Sequence, residues 1–478
     1  MSISSALNNA LTGLTVNARL TEVTSSNLSN VLTDGYARRS LELTPGLLGG
    51  VSVEGVDRFV DAGLLTDRRL TDAALQGQDK STDMLIRLEQ SLGGPEDLSS
   101  VGARLAAFEN ALISASSDPA SETRLDTVMY RLSDLTNTLQ DNTRAVQGLR
   151  QETDAAIARD IEVLNTSLVQ VEEMNADILR LTATGNDTSS LLDARQKVVD
   201  QIAAIVPIRE MPRDNGTIAL ITTTGTTLVD GRAVEFGFTP TPTITADMTL
   251  ASGALGAITM DGIALDPTTG IGRLDGGTLG AAFALRDGTL VDAQSGLDAI
   301  AVDLVARFED PTTDPTLTPG DQGLLTDEGG VLDLADTVGL AGRIAINATV
   351  DPSAGGDPTL LRDGLNAVAP GSVGDSTQLN RMIAALDESR SDLPGSTSQS
   401  AAGRAASFTS QLGATRLAAE EQLSFTSARW DTLREAELAN GVDTDIELQM
   451  LLRVEQAYAA NAKVIQTVDT MMQRLIEI

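Results

Sequence analysis

The feature that most constrains this chain is a long stretch without proline, between Pro119 and Pro207. Within it Leu125, Val128, Leu132, Leu135, Leu139, Val146 and Leu149 recur in threes and fours. After a one-residue slip near Thr153 the stripe continues through Ile157, Ile161, Leu164, Leu168, Val171 and Ile178. That spacing lays one apolar face along an α-helix. A continuous helix of roughly 60 residues would be about 90 Å long, several times the ordinary length. Such a rod cannot cover its own stripe, so other elements must lie along it. Two predicted helices precede it: 64–92, stopped by Gly93-Gly94-Pro95, and one carrying Leu98, Val101, Leu105, Phe108 and Leu112. Asp118-Pro119 reads as an N-cap followed by proline in the first turn of the rod.

Gly185-Asn186-Asp187 ends the rod, and a closing helix over 191–206 stops before Pro207. Residues 207–281 change character to Thr, Gly and β-branched types. Asn215-Gly216, Asp230-Gly231 and Asp261-Gly262 are hairpin signals, with alternation at Ile218 and Leu220 and at Val234 and Phe236. A helix is predicted over 279–308, an acidic loop over 309–328 and a strand over 343–350. Helices resume near Ser376. A Ser-rich linker at 391–401 leads to a helix over 402–439 that stacks Leu412, Ala419, Leu423, Trp430 and Leu433, and Asn440-Gly441 breaks it.

The two ends share a pattern. Near the C-terminus Leu451, Val454, Tyr458, Asn461, Ile465, Val468, Met472 and Leu475 form a heptad seam with one polar member. At the N-terminus Ile3, Leu7, Ala10 and Leu14 keep the same spacing, which resumes at Leu28 and Val31 after Asn17, Thr21 and Thr24. A narrow stripe of this kind needs a second helix to cover it, so each end predicts the other as its partner. Either stripe alone equally fits an ordinary surface helix of a globular fold. The N-terminal segment is rich in Asn, Ser and Thr, which compete for backbone hydrogen bonds, so it gains order mainly by packing. Thr33-Asp34-Gly35-Tyr36 then supplies a turn, and short strands are predicted within 36–62. The expected fold class is α+β multidomain, in three parts. Residues 1–62 and 440–478 are terminal helical coiled-coil segments, 63–206 and 375–439 a helical rod, and 207–374 a β-rich domain with one inserted helix. This nested order suits a subunit laid radially in a tube.

Composition narrows function by exclusion. A length of 478 residues implies two or three domains. A formal net charge of −33 opposes contact with nucleic-acid phosphates and anionic membranes. With no Cys and no His, the chain can form no Cys–His or Ser–His catalytic pair, no disulfide and no His/Cys metal site. No run of about 18 apolar residues predicts a membrane span. The N-terminus lacks the basic and apolar regions of a secretory signal, so export without a cleaved signal is the expectation. The Gly-rich stretch 270–280 has no Lys and makes a poor phosphate cradle. The acidic loop with Asp310, Asp314, Asp321, Asp327 and Glu328 lacks the spacing of a calcium loop. Carboxylate pairs for glycan hydrolysis are available among 67 acidic residues, but aromatic content of 3% leaves few stacking platforms for sugars. Non-enzymatic function is expected, with no cofactor and no metal.

Several blocks carry a family resemblance. Ser26-Asn27-Leu28-Ser29-Asn30, with Gly35-Tyr36 and Arg38, resembles the N-terminal signature of flagellar axial proteins. Asn27, Asn30, Gly35, Tyr36 and Arg38 are the motif positions. Gly185-Asn186-Asp187 with Leu191-Leu192-Asp193 and Arg195 resembles the segment that closes the long helical region in the FlgK-type hook-associated family. Leu340-Ala341-Gly342-Arg343-Ile344-Ala345-Ile346-Asn347, followed by Leu360-Leu361-Arg362-Asp363-Gly364, resembles that family's pattern after the β domain. Gly441-Val442-Asp443, Glu455-Gln456-Ala457-Tyr458 and Ala460-Asn461-Ala462-Lys463 resemble its closing helix. Two positions depart from the pattern: Arg39 stands where the family has Gln, and Asp443-Thr444-Asp445-Ile446-Glu447 replaces an Asn-Leu-Asp-Glu-Glu type run.

The resemblance implies an extracellular structural adaptor joining flagellar hook to filament. Its terminal helices would pair as a coiled coil lining the inner tube, with self-assembly into a ring or tube. It implies hook protein and the second hook–filament junction protein as partners, with a flagellar export chaperone and the type III export apparatus before assembly. Nucleic acid and membrane insertion are not expected. Another axial protein, such as hook protein or the second junction protein, is the rival within the class. A secreted glycan-acting enzyme is the rival outside it.

Overall fold

The Pro-free stretch folds into one helix of 62 residues and a shorter helix that follows it. The computed structural model describes residues 3–33, 35–46, 49–94, 96–266, 268–390 and 398–476; Asp34, Pro95 and the linker residues 391–397 lie outside them. In chain order the first elements are α1 (Ile3–Ser29), the β1 (Arg39–Pro45) and β2 (Val51–Arg58) hairpin, α2 (Ala62–Leu92), α3 (Val101–Ser117), the long α4 (Glu122–Ala183) and α5 (Ser189–Ile205). Strands β3 (Ile208–Pro212), β4 (Ile218–Thr222), β5 (Thr227–Asp230) and β6 (Arg232–Ala233) form an antiparallel meander. A three-stranded sheet of β7 (Phe236–Gly237), β8 (Thr259–Met260) and β9 (Ile263–Ala264) follows. Next come α6 (Gly277–Ala284), a π-helical turn (Leu285–Thr289) and α7 (Leu290–Glu309). The small pair β10 (Leu325–Asp327) and β11 (Ile344–Ile346) brackets the one-turn α8 (Leu340–Arg343). The chain ends with the one-turn α9 (Leu360–Asp363), α10 (Thr377–Asp387), α11 (Ala401–Ala439) and α12 (Thr444–Ile476). The chain is an α+β multidomain protein.

Turn chemistry sets the β region. Asn215 and Gly216 both take positive φ between β3 and β4, as do Asp261 and Gly262 between β8 and β9. Such turns match strand twist and need residues that tolerate left-handed backbone. Three local expectations are corrected. The helix after Asp118-Pro119 begins only at Glu122, because the Ser121 amide donates to the Asp118 carbonyl and closes a turn first. Leu98 lies outside α3 and is 83% exposed; Ser100 caps that helix, accepting from the Ala103 amide. The strand expected over 343–350 is only β11, and its partner β10 falls inside the predicted acidic loop.

Two apolar cores lie along α4, and the register slip separates them. The first takes the stripe from Leu125 to Leu149 together with α2, α3, α7, α10 and α11. The second takes Ile157 to Val171 with α5, α6 and the strands that follow α5. Between them sits a buried polar layer. Asp154 pairs with Arg286 at 2.6 Å and accepts the Thr241 amide, also at 2.6 Å. Arg150 donates to the carbonyls of Arg286, Thr245 and Met248. Buried charges must be paired or hydrogen-bonded, and this layer meets that demand where the apolar stripe is interrupted. No helix among the described residues is long and apolar enough to cross a membrane.

Candidate functional site

The terminal helices lie against each other: α1 and α12 form one of the most extensive helix contacts in the molecule. On α1, Ala10 is buried, Ile3, Leu14 and Leu28 are half-buried, and Leu7 is 42% exposed; Val31, just past the end of α1, is half-buried. Asn17, Thr24 and Asn27 are buried as well, so the covered row on α1 is largely polar. On α12, Val454 and Val468 are buried, and Leu451, Asn461 and Ile465 are half-buried. Tyr458 and Met472 stay about half exposed, at 50% and 46%. The side chain of Leu475 lies outside the described residues. Asn461 packs on Gly13: a Cβ at Gly13 would sit 2.7 Å from Asn461 Nδ2. The missing side chain is what lets the two helices approach there. Asp443 caps α12, accepting from the amides of Asp445 and Ile446, as an N-cap carboxylate does.

The motif residues meet where α1 turns into the hairpin. Asn27 is 1% exposed. Its Oδ1 accepts from the Tyr36 hydroxyl at 2.9 Å and the Arg39 amide at 3.0 Å, and its Nδ2 donates to the Arg39 carbonyl at 2.9 Å. Asn30 Nδ2 donates to the Ser26 carbonyl near the end of α1. Gly35 has φ of 74°, and a Cβ there would press on Lys197 of α5 at 3.0 Å. Burial pushes the Tyr36 hydroxyl above its ordinary pKa, opposed by its bond with Ser26 and by Arg39. The Arg39 guanidinium lies 4.8 Å from the centre of the Tyr36 ring.

From this cluster, ion pairs run to α12 and to α5. Arg38 Nε donates to Glu447 Oε1 at 2.7 Å, and Glu447 is only 2% exposed. Residues 409 positions apart are thereby joined. Asp193 on α5 accepts from Arg39 at 2.7 Å and from Arg58 at 2.7 Å. One step further, Arg68 reaches Asp200 and Glu437, and Arg69 reaches Asp200 and Glu210. These pairs tie α2, α5, α11 and β3 together beside the terminal pair.

The sequence motifs mark Arg38 and Asp193, and Glu447 as part of a departure from the family pattern, but not Arg58, Arg68, Arg69 or Glu437. One signal was available: adjacent arginines on an otherwise amphipathic helix, in a chain with 34 cationic against 67 acidic residues. The carboxylates of the acidic loop are engaged locally. Asp310 and Asp314 accept from Thr312 and Thr316, Asp321 from Thr318, and Asp327 pairs with Arg343. Among the described residues no group of three or more Asp or Glu is placed to hold a metal ion. Around the terminal helices the arrangement is one of ion pairs and capped backbone, suited to holding elements in register.

Comparison with known proteins adds independent findings. Residues 85–323, half of the chain, match the family model described as the flagellar hook-associated protein FlgK helical domain. Residues 439–478 match the model of the flagellar basal body rod FlgEFG protein C-terminal region. Flagellar hook-associated protein 1 of Escherichia coli (strain K12) is 26% identical, with all of each chain covered. The protein of that name from Bacillus subtilis (strain 168) is 22% identical over 95% of this chain and 94% of its own. The solved structure of the flagellar hook junction protein FlgK from Burkholderia pseudomallei aligns with a TM-score of 0.46 and 17% identity, covering 55% of this chain and 46% of that one.

Proposed function

The chain belongs to the FlgK-type family of flagellar hook-associated proteins, and from that premise we propose that it joins hook to filament as a structural adaptor assembled through its paired terminal helices. It is a flagellar protein of a structural family, and the reading assigns it no catalytic step. The observation that carries the proposal is the state of the terminal pair. Its inner row is covered, but Leu7, Leu11, Leu452, Tyr458, Val464 and Met472 remain 42% to 58% exposed. Apolar residues grouped on one long helix pair favour burial against another surface, and copies of the same pair arranged as a ring or tube would supply it. The Arg38–Glu447 pair then ties the two terminal segments to each other, and the pairs of Arg39 and Arg58 with Asp193 tie them to α5 of the rod.

The division of labour follows the three parts read from the sequence. Residues 1–62 and 440–478 would line the inner tube, 63–206 and 375–439 would form the rod, and 207–374 would face outward. Hook protein and the second junction protein are the neighbours this placement requires. Before assembly the polar, weakly helical N-terminal segment suits export in an unfolded state, through the type III apparatus and without a cleaved signal. A chaperone holding the amphipathic C-terminal stretch would protect it on the way. The test is deletion of residues 445–478: hooks are expected to carry no filaments. Normal filaments on those hooks would remove the role given to α12. Labelled antibody is expected to mark a band at the hook–filament boundary; label along the hook itself would assign the chain to a different axial protein.

A further inference from the structure

Each carboxylate in the ionic cluster beneath the hairpin is already shared or committed. Asp193 serves Arg39 and Arg58, Asp200 serves Arg68 and Arg69, Glu437 serves Arg68 and Arg434, and Glu210 serves Arg69. Arg195 receives none. It is 6% exposed and donates only to neutral acceptors, Asn175 Oδ1 at 2.7 Å and the Gly216 carbonyl at 2.8 Å. Burial without a direct counter-charge brings its pKa down to about 10, with Glu210 opposing that fall. Arg69 is 3% exposed, and its Nη2 is buried with no hydrogen-bond partner.

Arg69 and Arg195 contribute to one lining. A cavity of about 230 Å³ between the hairpin, α2, α5 and β3 is lined by Arg58, Arg69 and Arg195, with Glu210 as its one carboxylate. Thr66, half-buried, and Pro212, exposed, stand at its outer side. Arg58 and Arg69 already have carboxylate partners, so Arg195 is the lining cation without one, in a chain with a net charge of −33. Guanidinium groups present planar forks of donors that match an oxyanion. We propose that this cavity binds a single oxyanion group, a carboxylate or a phosphate, held by Arg195 with Arg58 and Arg69 in the same lining. The group would come either from a free anion or from an acidic side chain of a second copy of the chain. Bound there, it would lock the hairpin against α2 and α5.

The experiment uses the full chain at constant ionic strength, with inorganic phosphate or acetate replacing chloride during thermal melts. A saturable rise in Tm of about 2 °C is expected. Arg195→Gln should abolish that rise, leaving only the gradual, non-saturating effect of an excluded salt. No saturable rise, or an equal one in Arg195→Gln, overturns the proposal. Should Arg195→Gln fail to fold, Thr66→Glu decides. A carboxylate tethered at the outer side is expected to raise Tm without added anion and to remove the response, and an unchanged response overturns the site. Sedimentation separates the two sources. If an acidic side chain of a second copy is the natural occupant, phosphate weakens self-association; if a free anion is, self-association stays constant while the rise in Tm persists.

Discussion

In the rod, Leu125, Val128, Leu132, Leu135 and Leu139 are wholly buried. In α12, which carries a stripe of the same periodicity, Val454 and Val468 alone among the described stripe residues are buried, and Tyr458 and Met472 remain about half exposed. The difference lies in what surrounds each helix. α4 is covered by α2, α3, α5, α6 and α7, whereas α12 leans chiefly on α1, whose facing row includes Gly13, Asn17 and Thr24. Periodicity says that a helix has a face to cover. It does not say whether its own chain completes the cover. The rod covers its stripe within one subunit, and the terminal pair leaves part of its own exposed.

That contrast can be broken most directly at the two cores. Leu135→Ala should cost about 2–5 kcal/mol in the lone subunit, read by chemical denaturation. Val468→Ala should cost clearly less in the lone subunit, yet weaken assembly. Equal losses in the monomer would make the terminal pair a second self-sufficient core. Next in size is Gly13→Val, which pushes the Asn461 side chain from the seam and should cost about 1–3 kcal/mol. Asn461→Ala in the same chain should recover part of the loss, measured as a double-mutant cycle. Additive losses would mean that the two residues do not share the contact.

A smaller effect is expected where the two terminal segments are tied to each other. Arg38→Ala leaves Glu447 buried without its partner, but Arg38 is 34% exposed and solvent screens the pair. About 1–2 kcal/mol is therefore expected, below the full cost of breaking a buried pair. Glu447→Gln added to Arg38→Ala should return some of it. The smallest effect concerns Tyr36. Its folded pKa lies above its ordinary value through burial, so the associated stability is present below about pH 10 and is lost as pH rises through the folded pKa. Absorbance titration of the three tyrosines should show one late component, absent in Tyr36→Phe. That variant should lose under about 1 kcal/mol. A titration with no late component would place Tyr36 in a wetter setting than the Asn27 cluster implies.

Much of the architecture was legible from local pattern, because helix periodicity and turn residues act over a few positions. The 62-residue helix followed from its stripe and from the lack of proline, and the slip near Thr153 proved to be where two cores meet. Local pattern misled where a backbone bond two or three residues away decided the outcome, as at Asp118 and Pro119. The motif residues Asn27, Tyr36 and Arg38 were visible as a signature, but their task was not. Asn27 holds the Arg39 backbone, and Arg38 reaches a carboxylate at the far end of the chain.

By itself the sequence determined the helices, the hairpin turns, the absence of Cys–His chemistry and the family to which the chain belongs. All of these rest on residue type and short-range spacing. Only the tertiary structure decided which carboxylate each arginine meets, that Gly13 lies under Asn461, and that Arg195 is buried without a counter-charge. Such facts depend on groups far apart in the chain, and the energy of a buried charge is set by everything packed around it rather than by its neighbours in sequence.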